Sequence, residues 1–241
     1  MQTKPFYVFI FICTSLIAKA QPLKSRESLP HFTKCYTQGL VIHNSQVWES
    51  CGQFGESHLM HWDLKTQKII NQVKFPDKYF AEGLTEFNGR LYMLTWRSGI
   101  AFEIDKQTLK TIKTHKYKGE GWGLTTDNQH LIMSNGSNIL QFINPDSFVV
   151  EYSINVTING KPVSQLNELE WIDGKIYANI FQSNYIVEID PKTGVIVTKH
   201  HLPNLLENTM RKAGVLNGIA LDKVTNKIWI TGKNWPLMFE L

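Results

Sequence analysis

The chain has 241 residues, of which 42% are hydrophobic, and a formal charge of +4 at neutral pH. That length can bury one sizeable core without a second domain. The charge is too small and too scattered to single out nucleic acid or an anionic membrane as partner.

The N-terminus differs from everything after it. Met1 to Lys4 is a short basic start, and Phe6 to Ile17 is apolar apart from Thr14 and Ser15. Ala18-Lys19-Ala20 then has the small-x-small pattern of a signal-peptidase site. The apolar run is too short for a comfortable membrane span, which needs roughly 20 residues. Residues 1–20 therefore read as a signal peptide cleaved after Ala20, and 21–241 as one exported domain, secreted or periplasmic. No stable membrane association is expected after cleavage. Cleavage removes Lys4 and Lys19 and no acid, which lowers the formal charge from +4 to about +2. Cys35 and Cys51 remain, and sequence leaves open whether they pair or stay as free thiols.

Downstream, short alternating runs dominate, and no stretch sustains helical spacing over three turns. Gly89, Gly174 and the Asp127-Asn128 pair mark tight hairpins. Aligned, the runs form a repeat. It opens at Gln38-Gly39-Leu40, Glu82-Gly83-Leu84, Trp122-Gly123-Leu124, Asn167-Glu168-Leu169 and Asn217-Gly218-Ile219. Each opening leads through a hairpin to an apolar strand, and in four repeats a third strand ends on a polar turn, at Asp63, Asp105, Asn144 and Asp190. The period of roughly 40–50 residues is that of a four-stranded propeller blade. The expected fold is all-β: a five-bladed β-propeller. The last repeat has only three strands, so an N-terminal strand around Leu23 to Leu29 is expected to close that blade.

Propeller topology makes the polar residues informative. The start of each innermost strand and the end of each second strand crowd around one mouth of the channel. Those positions hold Tyr36, Gln38, Phe80, Glu82, Glu120, Trp122, Asn167, Glu168 and Asn217 from the first strands. Glu49, Trp96, Asn135, Phe181 and Lys233 come from the second. Any one aromatic there is as readily core as site. Glu82 is harder to dismiss, because a carboxylate on the innermost strand between Phe80 and Leu84 is desolvated and its pKa rises toward neutrality. Glu170, Trp171, Lys175 and Glu188 have the ordinary reading of blade surface. No Gly-x-Ser-x-Gly elbow, Walker loop or His-Glu-x-x-His motif is present.

Eight strings run in family order over nearly all of residues 21–241. They are Tyr36-Thr-Gln-Gly-Leu40, Trp48-Glu-Ser50, Glu82-Gly-Leu-Thr85, Leu94-Thr-Trp96, Glu120-Gly-Trp-Gly-Leu124, Asn167-Glu-Leu-Glu170, Asn217-Gly-Ile-Ala220 and Thr231-Gly-Lys233 with Trp235-Pro236. In these the chain resembles the plant-type and bacterial glutaminyl-peptide cyclotransferases, which fold as five-bladed propellers. Tyr36, Cys51, Asn135 and Phe181 stand where that family usually has phenylalanine, threonine, aspartate and tryptophan.

The resemblance implies an enzyme that converts N-terminal glutamine of peptides or proteins to pyroglutamate and releases ammonia. It implies Glu82 as general acid/base, with Asn167 and Lys233 assisting at the reacting amide. It further implies a substrate pocket of Tyr36, Gln38, Glu49, Phe80, Trp96, Glu120, Trp122 and Phe181. No cofactor or metal is expected in the chemistry, and the chain is expected to be a monomer. Two other readings of the mouth remain: a calcium-dependent propeller lactonase or esterase using Glu82, Asn167 and Asn217, and a non-catalytic secreted binding propeller.

Overall fold

Two-residue turns with left-handed backbone set the grain of the molecule. The computed structural model describes residues 20–22, 27–202, 205–206 and 213–241, and the expected signal peptide lies outside them up to its last residue. Asn44 and Ser45 have φ of 51° and 61°, Asn88 and Gly89 have 50° and 77°, and Asp173 and Gly174 have 47° and 75°. Such turns match the right-handed twist of the flanking strands and join first strand to second in a tight hairpin.

The blades follow in chain order. The first comprises Thr37–His43, Gln46–Cys51, His58–Asp63 and Ile69–Lys74. The second comprises Ala81–Phe87, Arg90–Thr95, Ile100–Asp105 and Thr111–Lys116, and the third Leu124–Thr126, Leu131–Met133, Ile139–Ile143 and Val150–Asn155. The fourth comprises Leu166–Ile172, Lys175–Ile180, Tyr185–Ile189 and Ile196–His201, with Ala20–Pro22 added in parallel on its outer edge. The fifth comprises Leu216–Asp222, Lys227–Gly232 and Leu237–Glu240, and is completed by Ser28–Pro30. The closing strand thus falls at the end of the expected stretch, of which residues 23–26 lie outside the described residues. Among the described residues no helix occurs, and the five innermost strands neighbour one another in a ring, the fifth against the first.

The polar turns after the third strands share one device. Asp63, Asp105, Asn144 and Asp190 each accept backbone N–H groups two and three residues on, Asp63 from Lys65 at 3.1 Å and Thr66 at 2.7 Å. A carboxylate or amide oxygen in that place substitutes for a strand carbonyl and starts the turn.

Apolar side chains collect between blades, one cluster at each interface. Leu40, Val47 and Trp62 meet Trp229 and Met238 between the first blade and the fifth. Trp48 and Leu59 meet Leu84, Met93 and Phe102 at the next interface, and Leu94 meets Leu124, Met133 and Phe148 at the one after. Ile132 and Phe142 meet Leu169 and Val187, and Ile172 and Ile186 meet Ile219, Ile230 and Phe239. Each large side chain so buried contributes roughly 1.5–3 kcal/mol, so blade-to-blade packing is a large part of what holds the ring together. Cys35 and Cys51 form a disulfide beside the first of these clusters, which resolves the pairing that sequence left open.

Candidate active site

The innermost strands are irregular at their first residues. Pairing with the second strand shifts register between Thr37 and Gly39, between Ala81 and Leu84, between Leu166 and Leu169, and between Leu216 and Ile219. The displaced residues include Gln38, Glu82, Asn167 and Asn217. A bulge re-aims the side chain it carries, here toward the mouth of the channel.

Contacts between blades fix these bulges. A Cβ on Gly83 would sit 2.5 Å from Leu124 N, and one on Gly123 only 2.0 Å from Asn167 O, so only glycine lets the inner strands approach so closely. Ser50 Oγ donates to Glu82 O at 2.6 Å, Ser134 Oγ donates to Asn167 O at 2.7 Å, and Gly218 N donates to Asn179 Oδ1 at 3.0 Å. The region at the end of one blade's second strand therefore holds the backbone of the innermost-strand bulge on the next. Where the other repeats have glycine, the fourth has Glu168, whose Oε2 accepts Ile219 N at 2.8 Å across the blade boundary.

A second set of bonds ties strand starts to strand ends. Gly52 N donates to Tyr36 O, Trp96 N to Phe80 O, Phe181 N to Gln165 O, and Lys233 N to Val215 O, at 2.8 to 2.9 Å. The result is one cavity of about 190 Å³ lined by Tyr36, Gln38, Gln53, Phe80, Glu82, Trp96, Trp122, Asn167, Phe181 and Lys233. Every blade contributes to it.

The aromatic residues form a wall of edge-to-face contacts. Ring centres are 6.2 Å apart for Tyr36 and Phe80, 5.5 Å for Phe80 and Trp96, and 5.6 Å for Trp122 and Phe181. Lys233 Nζ lies 4.7 Å from the centre of the Tyr36 ring and 4.9 Å from that of Phe181, a buried cation–π placement. Glu120 stands behind the wall. Its Oε2 accepts the indole N–H groups of Trp96 at 2.8 Å and Trp122 at 2.9 Å, and its Oε1 accepts from Arg97 at 2.8 Å. Desolvation works against its charge, yet those bonds hold its carboxyl below the usual range. It locks two indoles in place and lies just outside the cavity lining.

Glu82 is 5% exposed and accepts a hydrogen bond from Gln38 Nε2 at 3.1 Å. Burial pushes its carboxyl well above the usual range, Lys233 pulls it back in part, and Glu120 adds to the rise. Burial lowers the Lys233 ammonium to about 8, with Glu82 opposing. Among the described residues neither group is in a salt bridge. Asn167 is 2% exposed, and its Oδ1 is buried without a partner. A buried, unsatisfied amide beside an unpaired acid and an unpaired base marks a place where a polar ligand completes the bonding.

The positions expected from sequence are mostly brought together here, with exceptions. Glu49 does not reach the cavity. It is fully buried between the first and fifth blades, where its carboxylate accepts from Thr37 Oγ1 at 2.7 Å and meets His31 Nε2 at 2.9 Å. Asn217 sits one layer back, donating to Thr37 O at 2.9 Å and to Gln38 Oε1 at 3.3 Å. Glu168 is fully buried and does not line the cavity. Gln53 lines the cavity and was not expected. It follows the second strand in a loop whose only sequence signal is the adjoining Gly52, which shares tight quarters with Phe80.

Comparison with known proteins agrees with this geometry. The sequence model of the glutamine cyclotransferase family matches residues 15–241. The chain is 36% identical over 218 residues to a glutaminyl-peptide cyclotransferase of Arabidopsis thaliana, covering 88% of this chain and 68% of the relative. The crystal structure of Myxococcus xanthus glutaminyl cyclase superposes with a TM-score of 0.82 at 36% identity, covering 91% of this chain and 97% of that one. Hydrazine synthase of Kuenenia stuttgartiensis superposes with a TM-score of 0.51 at 15% identity, a likeness of fold alone.

Proposed function

This chain belongs to the glutamine cyclotransferase family, and we propose that it closes N-terminal glutamine of peptides and proteins into pyroglutamate, releasing ammonia, with Glu82 carrying the proton. The observation that carries the reading is the meeting, in one aromatic cavity, of a buried unpaired carboxylate, a lysine near neutrality and an amide with an unsatisfied oxygen. The relatives named above are glutaminyl cyclases by name.

The reaction joins the substrate's α-amine to its own γ-carboxamide carbon. The amine, with an ordinary pKa of roughly 8, must lose a proton, and the departing nitrogen must gain one. Glu82 serves both needs in turn, taking the proton from the attacking amine and giving it to the leaving group as ammonia departs. A positioned acid/base of this kind accelerates a reaction by about 10²–10⁴-fold. Its raised pKa suits the task, since burial makes the carboxylate a stronger base toward the amine than an exposed one would be.

Charge develops on the former amide oxygen as the ring closes. Asn167 donates to that oxygen through its side-chain amide, and Lys233 supplies positive charge. A donor already in place in a dry pocket is worth roughly 3–4 kcal/mol in the transition state. The aromatic wall excludes water and keeps the glutamine side chain folded back on its own amine, which favours the near-attack geometry.

The Cys35–Cys51 disulfide fits an oxidising compartment, and with the basic–apolar N-terminus it supports export of the chain to the periplasm or the medium. The test of function is ammonia release from a short Gln-initiated peptide, comparing wild type with Glu82→Gln at matched melting temperature. Release by the wild type and a loss of about 10²–10⁴-fold in the variant is the expected result. A well-folded wild type that releases no ammonia would sink the reading.

A further inference from the structure

The aromatic wall continues past the edge of the cavity. Gln53 lines the cavity with a backbone φ of 116°, and the next residue, Phe54, is 53% exposed. The Phe54 ring meets Phe80 edge-on with centres 5.3 Å apart and lies 6.4 Å from the centre of Trp96. A lone exposed phenylalanine is ordinary. One whose ring partners both line the pocket extends the apolar contact surface outward.

The ring is presented on a fixed turn. Glu56 N donates to Gln53 O at 3.1 Å, Ser57 Oγ donates to the same carbonyl at 2.7 Å, and Gly55 N donates to Asp77 O at 3.2 Å. The cation beside this wall is already engaged. Arg97 lies 3.8 Å from the centre of the Trp96 ring, and its Nε donates to Glu120. The exposed Phe54 ring therefore offers apolar surface next to a cation that is held elsewhere.

We propose that Phe54 determines specificity at the second residue of the substrate, taking an apolar or aromatic side chain against its exposed ring. The proposal rests on the reading of the cavity as the seat of N-terminal glutamine. With that residue inside, its carbonyl must continue outward through the mouth. One further residue advances the chain by about 3.5 Å, which leaves the next side chain at the rim. Phe54 supplies there the large, rigid contact area that aromatic residues provide at little entropic cost.

The experiment is a comparison of kcat/KM for the dipeptide amides Gln-Phe, Gln-Leu and Gln-Gly, with wild type, Phe54→Ala and Phe54→Tyr. The ratio of Gln-Phe to Gln-Gly within one protein cancels any general loss of folded enzyme. The expected wild-type ratio is about 10, since one apolar group against a hydrophobic site discriminates by about that factor. Phe54→Ala should bring the ratio toward one through KM, and Phe54→Tyr should keep it. An equal ratio in wild type and Phe54→Ala overturns the proposal while leaving the cyclase reading intact. A wild type inactive on all three amides overturns both.

Discussion

Gln38 donates its side-chain amide to Glu82 Oε1 at 3.1 Å, while its own amide oxygen is held by Asn217 Nδ2 at 3.3 Å. The second bond fixes which way the Gln38 amide faces, and the first favours the ionised form of Glu82. Among the described residues it is the one side-chain hydrogen bond to that carboxylate. Gln38→Leu should therefore move the Glu82 pKa further up and carry the acidic limb of the kcat/KM profile to higher pH. A hydrogen bond to a charged group is worth about 1.5–3 kcal/mol, so activity at pH 7 should fall by roughly tenfold or more. An acidic limb that stays in place would show that Gln38 serves only to fill space.

Lys233 should set the basic limb. Burial brings its ammonium down to about 8, so the positive charge at the reacting amide is present below that pH and lost as pH rises through it. Ammonia release should fall with that limb. Lys233→Arg keeps its charge throughout the accessible range, so the falling limb should vanish while kcat drops through altered geometry. Profiles measured to pH 10 for both proteins decide the point.

Glu170 offers a stability prediction away from the chemistry. It accepts Leu221 N at 3.0 Å at the far end of the channel, and burial raises its carboxyl from 4.5 to about 7. A carboxyl raised in the folded state favours folding while protonated. Its effect is complete below about 4.5 and is lost as pH climbs through about 7. The shift corresponds to at most about 3 kcal/mol of stability lost over that window. Glu170→Gln should flatten the fall in melting temperature between pH 5 and pH 8. Glu168, also raised by burial and then by Glu170, should sharpen the wild-type fall in the same direction.

The disulfide should matter to closure of the ring. Cys35 and Cys51 are 16 residues apart, a loop whose closure is worth about 3 kcal/mol in the chain-entropy account. For a chain of this size Cys35→Ser with Cys51→Ser should lower the melting temperature by about 6–12 °C. Wild type in strong reductant should show the same fall, and calorimetry of all three samples provides the check.

Much of this was legible in the sequence, and the reasons are physical. The glycines at 39, 83 and 123 mark where inner strands pack too closely for a side chain, and Glu168 and Gly218 keep the same spacing, so the repeat carried blade number and site together. Glu49 was misplaced because strand position was read without the side chain's direction. It pairs with Leu40 and Met60 and turns toward His31, a partner supplied by the closing segment. Glu170 reads as blade surface in sequence because nothing in its local string reveals the opposite mouth of the channel. Gln53 and Phe54 escaped notice because loop residues obey no period. The cysteine pairing could have been found: Thr37 faces Cys51 in the hairpin register, which leaves Cys35 two residues from that pairing.

Completion of the fifth blade by Ser28–Pro30 sets a timing problem for the growing chain. Ser28 pairs with Phe239, so an early strand must wait unpaired until nearly the whole chain has been made. Such long-range pairing is slow and leaves an open edge in the meantime. The nearby disulfide joins Cys35, just ahead of the first blade, to Cys51 in that blade's second strand and can form long before, mooring the waiting segment beside the place where it will dock. Because Lys233 comes from that same last blade and the cavity draws on all five, a nascent chain that stops short of Lys233 lacks the complete cavity. Onset of activity therefore reports that the last blade has joined the ring.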